Sequence, residues 1–454
     1  MALADASASE ETVLWDVLEE HLAEAQFGID ELQRGLESPV ATLQSLLRGL
    51  EPRFLAHVDG LALGGAPVRA KLLEPIVGTL DPAQPAALIV AGFVLASAGA
   101  PDALLPALAH EDDGIRRAAV EAIVLGGGQT VDAWIGLKLS GSLVPKARAS
   151  LLDVAWRRRV ILSPLVMWLQ DPDALVVRWA AHSAGHIDPA VHGPALEHLL
   201  DHPDVAVREA ALVPSLAWGS SRAVQYSRQW GLDRQTPRSV PMTLLAALEG
   251  PAVHEDLAAL CAYPTHVRAA ITALGHCGNV RMLPRLLEHV EGKTPLLRKL
   301  AAQSISLITG MKLGEVAAGA ATPAKPDERG IVGEQTDARQ ALPPLEEDDL
   351  DADIVPPPED ALPDPDPKAV RDHCGEAMAR LNPDQRWLCG KPFSVGTLVE
   401  ALQLLPMRAR HSIATVLFVR TAGASWVDTR GLPGEQVGRL AGMALARLAP
   451  VGRW

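Results

Sequence analysis

The sequence predicts an all-α protein: an α-solenoid of two-helix repeats about thirty residues long, with an acidic linker and a small helical C-terminal unit behind it. Three observations carry this expectation. Arginines stand at 148, 178, 208, 238, 268 and 298, thirty residues apart, with Arg117 ahead of the series. Five similar segments surround Arg117, Arg178, Arg208, Arg268 and Arg298, from IRRAAVEAIVLGG at Ile115 to LRKLAAQSISLITG at Leu297. Pro164, Pro194 and Pro284 keep the same phase, and each begins a leucine-rich run. A fixed period of this length marks stacked units that cannot bury their apolar faces alone. Composition agrees, because 48% of the chain is hydrophobic but only 4% aromatic, whereas strands favour aromatic and β-branched residues.

Taken in order, residues 1–80 read as a helical N-terminal cap. Residues 10–38 suit an acidic amphipathic helix or helix pair, and 43–80 add helical runs joined by Gly and Pro. Repeat arrays need such a covering for their first layer. The solenoid follows over 81–314. In its clearest unit PALEHLL (194–200) leads through DHPD into VREAALVPSLAW. Proline suits a first helical turn, Asp caps the next helix, and Gly185 and Gly278 end others. Pro237 and Pro241 flank Arg238 where helix is expected, so the stack should break there. Over 315–368 the pattern stops. Residues 343–368 hold ten acidic groups against Lys368 alone, so this stretch carries −9 of the chain's −14. Rich in Pro and acid, it is expected to be a disordered linker. Residues 369–454 return to helical runs, but NPDQRWLCGKPFS and the loop around Trp426 are not explained by the repeat.

The core pattern, D-x-x-VR-x-A-x-x-ALG, resembles the short, thirty-residue variety of the HEAT repeat. That resemblance implies a structural ladder. Asp113, Asp173 and Asp204 would cap the second helix of each unit and bridge to the arginines at 117, 148, 178, 208, 268 and 298. LEEHLAEAQF, LEPRFLAHVDGLALGG, SLITG (306–310) and RWLCGKPFS…LPMRARHSIA are similar to a bacterial family of HEAT-repeat proteins without assigned activity. Its members are often encoded beside type VI secretion components. The resemblance implies an accessory role with an effector, spike or tip protein as partner.

Charge and motifs exclude several classes. Outside the linker the chain is near neutral, with no basic stripe, which argues against nucleic acid. Cys261, Cys277, Cys374 and Cys389 stand singly, as thiols in a reducing compartment do. No leader is visible in MALADASASEETV, and the apolar run 86–100 is shorter than the ~20 residues a spanning helix needs. A soluble, cytoplasmic protein without membrane contact is expected, and no cofactor is implied. There is no Walker loop, no G-x-S-x-G, and no G-x-G-x-x-G after a strand.

Histidines 182, 186, 192, 198 and 202 cluster, and two pairs have the i, i+4 spacing of metal ligands. H-E-x-x-H is absent, however, and packing roles are expected instead. The iron-binding HEAT enzymes of the deoxyhypusine hydroxylase type place His-Glu after repeat arginines. Here those positions hold pairs such as Glu209-Ala210 and Lys299-Leu300. Tryptophans 156, 168, 179, 218 and 230 are dense for so aromatic-poor a chain, and Trp and Arg favour binding hot spots. If the second helix of each unit lines the concave face, Trp156, Arg157, Trp179, His182 and Glu209 are the expected protein-binding positions. The function expected is a non-catalytic scaffold or adaptor. The alternatives are a metal-dependent HEAT-repeat enzyme and a purely structural oligomer.

Overall fold

A computed structural model describes residues 13–162, 165–185, 189–318 and 357–445. Among them the chain is helical apart from one short hairpin. The N-terminal region holds α1 (Trp15–Leu36), α2 (Leu43–Arg48), α3 (Leu50–Leu63), α4 (Gly65–Val68) and α5 (Glu74–Thr79). Thr42 and Ser45 form a capping box at the start of α2, satisfying two amides that the first turn leaves open. Leu18, Ala25, Ile29, Leu32 and Leu36, at helical spacing, bury one stripe of α1, which packs on α3 and on α6 (Pro85–Ser97). Helix α6 is apolar on all sides, and Ala86 through Ala96 are buried.

Beyond α6 come α7 (Leu105–Leu108), α8 (Asp113–Gly126), α9 (Gln129–Leu139), α10 (Pro145–Arg158), α11 (Ala174–Ala184), α12 (Pro189–Leu199) and α13 (Val205–Ala217). The inner helices α6, α8, α10, α11 and α13 stack in that order. Outer elements cover their other side, as expected of a solenoid. Serines stitch the layers: Ser150 Oγ donates to the Leu108 carbonyl at 2.9 Å and Ser183 Oγ to Leu152 at 3.3 Å.

The break expected around Arg238 is present. After α14 (Ser221–Gly231), helix α15 (Ser239–Leu248) starts directly behind Arg238, with Pro241 in its first turn. The buried apolar residues divide into two clusters at α15. The second body comprises α16 (Pro251–Leu260), α17 (Val267–Gly275), α18 (Leu283–Val290) and α19 (Pro295–Thr309), with α15, α17 and α19 stacked inside.

The disordered linker expected over 315–368 needs correction at both ends, while 319–356 lie outside the described residues. Residues 357–368 are ordered against the second body. The Ala318 amide donates to Asp364 and the Asp366 amide to Val316, each at 2.8 Å. Glu359 pairs with Arg268 at 3.0 Å, and Asp364 with Arg298 at 3.1 Å. Acidic side chains that look like solvated charge in the sequence are here held by repeat arginines. Asp366 then caps α20 (Pro367–Arg380).

Nor is the C-terminal region a tethered unit. The hairpin β1 (Trp387–Leu388) and β2 (Lys391–Pro392) covers helix ends: the Cys389 and Gly390 amides donate to the carbonyls of Leu307 and Ile308 in the last turn of α19. Arg386 donates to the carbonyls of Ala246, in the last turn of α15, and Cys277, in the turn that follows α17, both at 2.8 Å. Helix ends leave such carbonyls without partners inside the helix, so RWLCGKPFS serves as a shared C-terminal cap. Helices α21 (Val395–Leu404), α22 (Met407–Arg420) and α23 (Pro433–Leu445) follow. Helix α22 packs against α13, α15 and α1, with Phe418 fully buried. Its first turn joins the N-terminal region, since the Met407 amide donates to Ala41 at 2.8 Å and Arg408 to Ser38 at 3.1 Å. The two ends of the described chain therefore close on one another across the inner face.

Candidate functional site: the concave cleft

Helix caps decide which side chains enter the inner face. Asp112 caps α8, Asp173 caps α11 and Asp204 caps α13. Counting five and nine residues from each cap, about one helical turn apart, gives Arg117 and Glu121, Arg178 and His182, then Glu209 and Val213. All six line one cleft of about 930 Å³. Helix α10 adds Asp153, Trp156 and Arg157, α22 adds His411, Ser412 and Thr415, and the stretch after α22 adds Trp426, Asp428 and Arg430.

The five positions expected to bind protein, Trp156, Arg157, Trp179, His182 and Glu209, all reach this cleft. All five have partners within the chain. Trp156 packs on Trp426, 4.3 Å between ring centroids, and meets Phe418 edge-on at 6.3 Å. Arg157 Nε donates to Asp428 at 2.8 Å, and its Nη1 to Glu121 at 2.5 Å. Glu209 accepts from Arg238 at 2.6 Å. His182 lies between Trp156 and Trp179, 5.6 and 5.2 Å away. An aromatic wall thus runs from Trp426 through Trp156 and His182 to Trp179.

The electrostatics follow from burial. His182 is pushed down to about 3 by burial, with Arg178 adding to the effect, so its ring is neutral at physiological pH. Burial pushes Asp153 up to about 7; Arg157 opposes this, while Glu121 and Asp428 add to it. Burial disfavours the charged form of Arg157, but Asp428, Glu121 and Asp153 outweigh that and hold its guanidinium firmly charged. The cleft floor therefore carries one arginine shared by two carboxylates, and beside it a carboxyl that titrates near neutrality.

The expected Asp–Arg ladder is corrected in several places. Asp173 and Asp204 cap their helices as expected, but Asp113 does not, because Asp112 accepts from the Ile115 amide. Asp113 instead pairs with Arg116 and Arg117 on its own helix. Arg116 takes the structural place of Arg208: both donate to carbonyls five and six residues back, His110 and Glu111 in one case, His202 and Pro203 in the other. Arg117 points into the cleft instead. Arg148 pairs with Asp171 at 2.8 Å, Arg178 lies over the Trp179 ring at 5.0 Å, and Arg268 and Arg298 hold the acidic segment. A shared spacing of thirty gave these arginines neither a common place in the helix nor a common partner: Arg178 lies five residues after its cap, Arg208 four, and Arg238 is itself an N-cap residue.

Of the clustered histidines, His186 lies outside the described residues, His192 is buried, and His202 Nδ1 accepts the Asp204 amide. Among the described residues no group of three His, Cys, Asp or Glu side chains is placed to hold a metal ion. The four cysteines are free thiols. No helix among the described residues is long and apolar enough to cross a membrane.

Sequence reasoning missed Asp153, Glu121, Asp428 and Trp426. Glu121 is reached by the cap-plus-nine count only from Asp112, since the same count from the expected cap Asp113 falls on Ala122. Asp428 and Trp426 had no signal, since only tertiary folding brings them to α10.

No protein-family model and no curated protein matches the chain. Among solved structures, Escherichia coli YibA is similar at 14% identity and a TM-score of 0.28, over 67% of this chain and 98% of that one. At that distance the all-α solenoid assignment rests on the helices described above.

Proposed function

We propose that this chain is a non-catalytic scaffold or adaptor that grips a segment of a partner protein in the concave cleft. The observation that carries the reading is that the cleft already holds a peptide: Ser425–Asp428, a non-helical stretch, lies on α10 through Trp426 and Asp428. Aromatic and arginine anchors in a half-open groove are the usual makings of a protein hot spot. The sequence resemblance directs attention to type VI secretion effector, spike or tip proteins as partners, and to the cytoplasm of a bacterium as the place of action.

The test is affinity capture from native, secretion-active cells with the intact chain, because α22 is built into the core and truncation would expose it. Beside it runs Ala206→Arg, which projects a long side chain into the cleft from the first turn of α13. A spike, tip or effector protein recovered by the intact chain and lost with Ala206→Arg supports the adaptor reading. Recovery of nothing beyond the chain itself ends that reading and favours the structural oligomer.

A further inference from the structure

The manner in which the inner face holds its own chain defines a chemistry. Trp426 and Asp428, two residues apart, meet Trp156 and Arg157 on α10, while Val427 between them is buried in the core. In extended backbone, side chains two apart share a side and lie ~6.6 Å from one another. An aromatic and an acidic side chain at that spacing therefore match a Trp and an Arg adjacent on a helix.

The next inner helix, α11, turns a second such pair, Arg178 and Trp179, toward the same cleft. His182 bridges the two tryptophans. The other lining arginines have carboxylate partners: Arg117 with Asp113, Arg157 with Glu121 and Asp428, Arg430 with Glu37. Among the described residues no carboxylate is in ion-pair contact with Arg178, which lies over the Trp179 ring and acts on Asp153 through its charge alone.

We propose that Arg178 and Trp179 form a docking subsite for a partner segment that presents an acidic side chain two residues from an aromatic one. The carboxylate takes the guanidinium as a charge-assisted fork. The aromatic side chain adds to the wall of Trp179 and His182. His182 stays neutral there, so it neither repels the arginine strongly nor competes for the carboxylate. The identity of the partner rests on the adaptor reading; the chemistry of the subsite does not.

The probe is a blocked, fluorophore-labelled peptide with the sequence of residues 422–431, AGASWVDTRG, titrated against the intact chain by anisotropy. A second peptide carries Asn in place of its Asp. The acidic peptide is expected to bind at least about tenfold more tightly than the Asn peptide, the scale of one charge-assisted contact. Arg178→Gln in the chain should remove that advantage, and Arg178→Lys should keep part of it. Equal affinity for both peptides, no binding up to about 1 mM, or an advantage unchanged by Arg178→Gln overturns the proposal. An advantage lost with Arg157→Gln but kept with Arg178→Gln overturns it too, because the peptide would then be replacing its own copy on α10. If cellular capture finds no partner while the peptide binds through Arg178, the adaptor reading fails and the subsite stands. If a captured partner is lost with Ala206→Arg yet the peptides do not discriminate, the reverse holds.

Discussion

Replacing Asp428 by Asn tests how the C-terminal segment is held in the cleft. Asp428 and Arg157 are 2.8 Å apart, and their side chains are only 17% and 12% exposed. A hydrogen bond to a charged group contributes about 1.5–3 kcal/mol. Leaving a buried charge with no partner costs about 3–5 kcal/mol. The second figure is not reached here, because Glu121 still accepts from Arg157 Nη1 at 2.5 Å. A loss of about 2 kcal/mol follows, or about thirtyfold in the equilibrium that releases the segment. Spread over cooperative unfolding of a chain this size, the same loss lowers Tm by only about 2 °C. Hydrogen exchange is therefore the better assay, since it resolves local opening. Amides of residues 424–431 should lose about thirtyfold protection while those of α8, α11 and α13 keep theirs. Unchanged protection in 424–431, or an equal fall throughout the inner helices, would refute the assignment of Asp428 as the anchor.

Other predictions follow from the same geometry. Asp153 is raised in the folded state, so its favourable contribution is full below about pH 4 and lost as pH rises through about 7. Asp153→Asn should therefore gain stability relative to the wild type between pH 5 and pH 8, and parallel Tm curves would contradict the shift. Gly310 has φ +79°, and a Cβ there would meet the Cys389 carbonyl oxygen at 2.6 Å, whereas Gly99, also at +79°, has open space. Gly310→Ala should cost more than about 2 kcal/mol and Gly99→Ala only about 1, read from denaturant unfolding. Glu359 bridges Arg268 and Arg408 at 3.0 Å each; Glu359→Gln should speed proteolysis next to Pro357 without moving the global Tm by more than a few degrees. Cleavage at the wild-type rate would show that the bridge does not hold the segment.

The sequence by itself determined what depends on near neighbours. Helices follow from apolar spacing and from the caps Asp173 and Asp204, and the break at Arg238 follows from Pro237 and Pro241. Each is a matter of backbone geometry within a few residues, so a single chain displays it. Even so, the cap in the unit at 112–126 falls one residue before Asp113, where the repeat pattern predicts it. Two arginines stand side by side there, and only the cap at Asp112 distinguishes Arg116, which bonds its own loop, from Arg117, which enters the cleft.

The tertiary structure alone decided which partners the periodic arginines take and where the C-terminal region goes. Glu359 and Asp364 look like part of a solvated acidic run until they are found against Arg268, Arg408 and Arg298. Trp156 and Arg157 were legible as cleft residues, but not as the seat of Trp426 and Asp428, some 270 residues further along. Such pairings depend on the rotation between successive layers summed over the whole stack, which sets the curvature of a solenoid and hence whether its two ends meet. No local pattern encodes that sum, because it comes from the packing of every inner helix on the next.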